Sequence, residues 1–126
     1  MRRLTKLGLS LSVVAGGMLL SAAPAQTAVA AQAMYTCPDE SICLFSSPNG
    51  KGESLAVGQD TPQLGDQSWN DKARSVNNET STDWCLYRDN NYQGEWKRVA
   101  PEERTNLTGD FDKKVSSLRA MPDDGC

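Results

Sequence analysis

The feature that most constrains this chain is a repeat. Cys43-Leu44-Phe45-Ser46-Ser47-Pro48-Asn49-Gly50-Lys51-Gly52-Glu53 returns as Cys85-Leu86-Tyr87-Arg88-Asp89-Asn90-Asn91-Tyr92-Gln93-Gly94-Glu95, with every matched position 42 residues apart. The register runs on without a gap through Val57 and Val99, Trp69 and Phe111, Lys72 and Lys114, and Ser75 and Ser117. A fixed period means that one supersecondary unit is used twice, each copy burying its apolar face against the other.

Within each copy the apolar residues come in short bursts divided by Gly, Pro, Asn and Asp, and no window from Met34 onward carries a sustained helical stripe. That is an all-β pattern. Strands are expected over 42–45, 53–57 and 73–76, and again over 84–87, 95–99 and 115–119. The turn 46–52 holds Pro48, Asn49, Gly50 and Gly52, several of which tolerate positive φ. Residues 58–67 and 100–109 read as long connections, and the wholly polar Asn77–Asp83 as the linker between copies 42–76 and 84–119. A folded first hairpin followed by a long third connection describes a Greek key, and two of them packed face to face make a sandwich.

Arg2, Arg3 and Lys6 precede an apolar stretch, Leu7 to Leu20, and then an Ala-rich run. This is the layout of a secretory signal peptide spanning residues 1–33, cleaved between 25 and 33; the apolar run is short for a membrane span. If it ends at Ala33, a single domain of 93 residues, 34–126, is exported. It keeps 10 Lys and Arg against 16 Asp and Glu, a net charge of −6. An acidic surface with no basic run argues against nucleic acid and anionic membranes as partners.

Cys37, Cys43, Cys85 and Cys126 all lie in the exported part, where an even number reads as two disulfides. Three pairings are open. The period of two places Cys43 opposite Ile42 and Leu44, and Cys85 opposite Trp84 and Leu86. With the apolar pairs facing the core, both cysteines point outward from equivalent places on different halves, which favours Cys37 with Cys43 and Cys85 with Cys126.

The chain contains no His. That removes the usual general base, the Ser-His and Cys-His nucleophile pairs and the commonest zinc ligand, so an enzyme is not expected. Adjacent acids such as Glu102-Glu103 and Asp123-Asp124 read as solvated surface. Trp69 and Trp84 are expected in the core and Trp96, whose counterpart is Ser54, at the surface. Asn78-Glu79-Thr80 and Asn106-Leu107-Thr108 match the N-glycosylation pattern.

An aromatic followed after six residues by Gly, as in Phe45 to Gly52 and Tyr87 to Gly94, with Ser75 and Ser117 later, resembles the βγ-crystallin Greek key signature. Within that superfamily Cys37-Pro38, Cys43-Leu44-Phe45 and Cys85-Leu86-Tyr87 behind a signal peptide resemble the secreted actinobacterial peptidase-inhibitor family directed at metalloproteinases. The resemblance implies a βγ-crystallin-like sandwich of two Greek key motifs. It also implies a secreted inhibitor of an extracellular protease that docks a loop in the protease cleft without a covalent bond and needs no cofactor; a monomer is expected. The loops available are Gly58 to Gln67, Ala100 to Gly109 and Cys37 to Cys43, with Leu64, Leu107 or Ile42 as the presented residue.

Calcium is the other chemistry the resemblance implies. The superfamily's calcium stretch appears as Asn70-Asp71-Lys72-Ala73-Arg74-Ser75 and as Asp112-Lys113-Lys114-Val115-Ser116-Ser117. Each copy is damaged once by a cation, at Arg74 and at Lys113, and a fixed positive charge both removes an oxygen ligand and repels the ion. If ligands are drawn from both copies, Asp71 and Ser116 form one intact site; if each copy builds its own, both are impaired. A calcium-binding structural or binding module without inhibitory activity is thus the alternative, and a carbohydrate or cell-wall binder around Trp96 a third.

Overall fold

A computed structural model describes residues 33–126. The signal segment expected over 1–33 lies, but for Ala33, outside the described residues. Seven strands follow: β1 Ile42–Ser47, β2 Lys51–Val57, β3 Ser75–Asn78, β4 Trp84–Asp89, β5 Gln93–Val99, β6 Arg104–Asn106 and β7 Ser117–Ala120. They form two antiparallel sheets, ordered β2-β1-β3-β6 and β5-β4-β7.

The two sheets do not divide cleanly between the copies. β6 belongs to the second copy yet pairs with β3 of the first, Val76 opposite Thr105. In return, Thr61 of the first copy bridges Leu118 on the free side of β7, with Thr61 N–H donating to Leu118 O at 2.8 Å and Leu118 N–H donating to Thr61 O at 3.1 Å. Pro62 has no N–H to give, so this crossing stays a single bridge instead of a ladder. Each Greek key therefore completes the other's sheet.

The shared aromatic, Gly and Ser positions have a common physical cause. The β1–β2 and β4–β5 hairpins turn through short 3-10 segments in which Asn49 (φ 62°) and Asn91 (φ 58°) are left-handed. Gly94 follows at φ +79°, and a Cβ there would lie 2.5 Å from Asp89 Oδ2, so only glycine fits. The later serines fasten these folded turns. Ser75 Oγ accepts from Gly50 N–H at 2.9 Å and donates to Ser47 O at 2.7 Å; Ser117 Oγ accepts from Tyr92 N–H at 3.0 Å and donates to Asp89 O at 2.6 Å.

Ile42, Leu44, Leu64, Trp69, Ala73 and Val76 from the first copy and Trp84, Leu86, Val99, Leu107, Val115 and Leu118 from the second share one buried cluster. Neither set would be dry alone, which is why the unit appears twice. Cys43 and Cys85 sit on the opposite, outer faces. Cys43 bonds to Cys37, bringing the N-terminal segment over the first sheet, and Cys85 bonds to Cys126, bringing the C-terminal tail over the second. Tyr35 then packs edge-on against Phe45 at 5.8 Å, and Tyr87 Oη donates to Cys126 O at 3.1 Å.

Several boundaries differ from expectation. The closing strands start later, at Ser75 and Ser117, because Asp71 (φ 55°) and Lys113 (φ 57°) are left-handed and Ala73 and Val115 drop into the core before pairing begins. The expected linker gives up Asn77 and Asn78, both fully buried, to β3. The Asn78 amide justifies its place by donating to Thr82 O (2.8 Å), Val99 O (3.1 Å) and Ala100 O (3.1 Å) and accepting from Thr80 N–H and Oγ1 (3.0 and 2.6 Å). This buried amide cannot serve as a glycan acceptor.

Candidate functional site

The connection Gly58 to Gln67 is an exposed loop held at fixed points. Thr61 is clipped to Leu118, Leu64 N–H donates to Ser116 O at 2.9 Å, and Asn91 N–H donates to Pro62 O at 2.8 Å. Asp60 Oδ1 accepts from Ala120 N–H at 3.0 Å. Leu64 is fully buried, and a 3-10 turn over Leu64–Gln67 returns the chain to the core. Between these anchors Gln59, Asp60, Pro62 and Gln63 are exposed and border an open cleft of about 420 Å³. The loop also colours its surroundings: burial pushes the Tyr92 phenol above its ordinary value, and the Asp60 carboxylate adds to that.

The presented residues expected from sequence are placed otherwise. Ile42 and Leu64 are 0% exposed and Leu107 3%. All three are anchors of the core, and none offers a side chain to a protease cleft. Their apolar character, read as a docking signal, is the signature of burial. The disulfide-closed segment presents Pro38, Asp39 and Glu40 instead, tied to Glu79, the residue after β3, by Glu40 N–H to Glu79 O at 3.1 Å and Glu79 N–H to Ser41 O at 2.9 Å. Ala100 to Gly109 carries β6.

The calcium positions meet across the copies. Ser116 Oγ donates to Asp71 Oδ1 at 3.4 Å, and Asp71 N–H donates to Val115 O at 3.1 Å. At the mirror place Arg74 takes Asp112 with both ends of its fork, Nε to Oδ1 at 3.0 Å and Nη2 to Oδ2 at 3.3 Å. A guanidinium here already satisfies the carboxylate, so this position does not fit a cation. The Asp71–Ser116 position supplies one carboxylate and one hydroxyl, while a calcium ion takes six to eight oxygens. Among the described residues no three His, Cys, Asp or Glu side chains come together as a metal site.

Nothing in the sequence marks Thr61 as an anchor, because its repeat partner is Glu103 and no shared apolar pattern marks the crossing strands. The one available signal was topological: a third strand of each Greek key has to go somewhere, and residues 58–67 and 100–109 were the only chain left for it.

Three comparisons bear on this arrangement. A structure concerned with the evolution of the eye lens βγ-crystallin domain fold superposes with a TM-score of 0.63 at 23% identity, covering 67% of this chain and 88% of that one. A βγ-crystallin from Ciona intestinalis gives 0.59 at 23% identity, covering 64% and 99%. A βγ-crystallin from an archaeon gives 0.55 at 26%, covering 67% and 100%. No curated protein matches significantly. The family model for peptidase inhibitor family I36 matches residues 30–99, taking in the Cys37–Cys43 segment and the Gly58 to Gln67 loop but not Ala100 to Gly109. The fold is thus that of a βγ-crystallin, and the chain belongs to peptidase inhibitor family I36.

Proposed function

We propose that the chain is a secreted inhibitor of extracellular metallopeptidases that seats the Gly58 to Gln67 loop in the protease cleft without forming a covalent bond. Membership of the family implies a protease as partner. Inhibitor families and crystallin-type domains are not in general enzymes, in keeping with a chain that has no His. The choice of metallopeptidases rests on the sequence resemblance.

The observation that carries the reading is the clamping of the loop. Four backbone hydrogen bonds join Thr61, Pro62 and Leu64 to Leu118, Asn91 and Ser116 of the other copy. A loop already held in one shape loses little conformational entropy on docking, and it resists the distortion that hydrolysis requires. The exposed Pro62 and Gln63, together with their main chain, replace Leu64 as the presented groups. Measuring residual activity of a thermolysin-type metallopeptidase and of a serine peptidase, each with excess protein, tests the assignment: loss of the first activity alone supports it, and loss of the second alone moves the target to another class.

The calcium-module reading retains one observation in its favour, the Asp71–Ser116 contact between copies. With two side-chain oxygens it describes a weak single site, and inhibition does not require it.

A further inference from the structure

At Ser54 and Trp96 the two copies differ at an exposed place. β5 is an edge strand: its one neighbour is β4, and among the described residues nothing pairs with its other side. Trp96 stands in the middle of it, 53% exposed, where the first copy has Ser54 on β2. Unpaired edges with apolar side chains join other strands unless something prevents it. Lys97, opposite the buried Leu86, is the kind of charged residue that guards an edge.

The sequence around Trp96 makes that guard selective. β5 reads Gln93-Gly94-Glu95-Trp96-Lys97-Arg98-Val99. Laid antiparallel on itself about Trp96, it puts Glu95 of each copy opposite Lys97 of the other, on one face. On the other face the two Trp96 rings meet, with Cβ atoms about 5 Å apart, the spacing of directly opposed residues. Arg98, ion-paired with Asp83 at 2.9 Å in the single chain, lies diagonal to the Trp96 of the other copy, and Gly94 (φ +79°) adds no side chain at the β-bulge beside it. Shifting the centre to Glu95 or to Lys97 opposes like charges, which disfavours those registers. The edge of β2 has no such property: centred on Ser54, it would set Glu53 against Leu55.

We propose that β5 is a self-complementary docking edge, and that its occupant is β5 of a second copy of this chain, in a two-fold antiparallel pair centred on Trp96. The contact is isologous, so it closes at two copies and does not grow into a filament. In the single chain Glu95 holds Arg88 at 3.3 Å, an exposed contact that gives way at little cost. The proposal stands apart from protease inhibition and replaces the monomer expected from the sequence.

Sedimentation velocity of the oxidised protein over a micromolar to millimolar dilution series tests it. The wild type is expected to shift from one copy to two as concentration rises. Trp96→Ser, the residue that the first copy carries, weakens the pair by about tenfold or more. Lys97→Glu abolishes it by setting Glu95 against a second acid, and the double exchange Glu95→Lys with Lys97→Glu restores it. Near-ultraviolet circular dichroism confirms that each variant is folded. A single copy at every concentration overturns the proposal, as does a dimer indifferent to the charge exchange. A lone copy that uses Trp96 to hold a protease or a polysaccharide overturns it too.

Discussion

Arg74 of the first copy grips both carboxylate oxygens of Asp112 in the second, at 3.0 and 3.3 Å, across the seam where the two Greek keys meet. The pair is about one-third exposed at each end, so solvent screens much of it. A double-mutant cycle with Arg74→Met and Asp112→Asn, read by urea denaturation, is expected to give a coupling of about 1 kcal/mol or less. A coupling several times larger would mean that the seam is held by charge and not by the shared apolar cluster.

The mirror position fixes the metal stoichiometry. With Arg74 satisfying Asp112, and only Asp71 and Ser116 offered on the other side, the chain is expected to take up no more than one calcium, and only near millimolar concentration. Titration calorimetry on chelator-treated protein checks this, with Asp71→Ala as the variant that removes any heat. Two bound ions would contradict the pairing of Arg74 with Asp112.

The disulfides differ in the loops they close. Cys37 and Cys43 are 6 residues apart, Cys85 and Cys126 are 41 apart. By loop-closure entropy the first bond contributes about 2 kcal/mol and the second about 4 kcal/mol. Replacing Cys85 and Cys126 together by Ala is expected to lower the melting temperature clearly more than replacing Cys37 and Cys43. Equal losses would show that packing of the covering segments, not chain entropy, sets the contribution.

Glu79 gives the fold an acid dependence. Its carboxyl is held below the ordinary glutamate range, first by the Asn77 amide and then by Arg104, which donates at 3.0 Å. A depressed folded value means that this stabilisation is complete above the unfolded value and fades as pH falls through the folded one. The melting temperature of Glu79→Gln is therefore expected to fall less than that of the wild type on going from about pH 5 to about pH 3. Parallel curves would assign no stability to this contact.

Much of the fold was legible because the repeat is written in side chains that can do one thing each. Gly52 and Gly94 occupy left-handed turns, Ser75 and Ser117 tie those turns down, and Phe45 and Tyr87 lie buried beside them. The crossing strands were not legible, since Thr61 and Arg104–Asn106 pair through backbone and share no pattern. Polarity misled at Asn77 and Asn78, whose buried amide N–H groups donate to main-chain carbonyls that no composition reveals. The site suffered the opposite error: Ile42, Leu64 and Leu107 are buried anchors, and the exposed residues of the clamped loop include the unremarked Pro62 and Gln63.

Loop rigidity is the physical content of the inhibitory reading. Replacing Pro62 by Gly leaves the clips at Thr61 and Leu64 in place while freeing the backbone between them. It is expected to weaken inhibition by about tenfold, since about 1.4 kcal/mol of ordering is then lost on docking. The melting temperature should move little. The most direct measurement is a tight-binding titration of a thermolysin-type metallopeptidase with the oxidised wild-type protein, followed by mass spectrometry of the same mixture. Activity is expected to fall linearly to an equivalence point while the chain stays uncut and no covalent adduct forms. Full peptidase activity in excess protein, or a chain cleaved between Gly58 and Gln67 as an ordinary substrate, would contradict it.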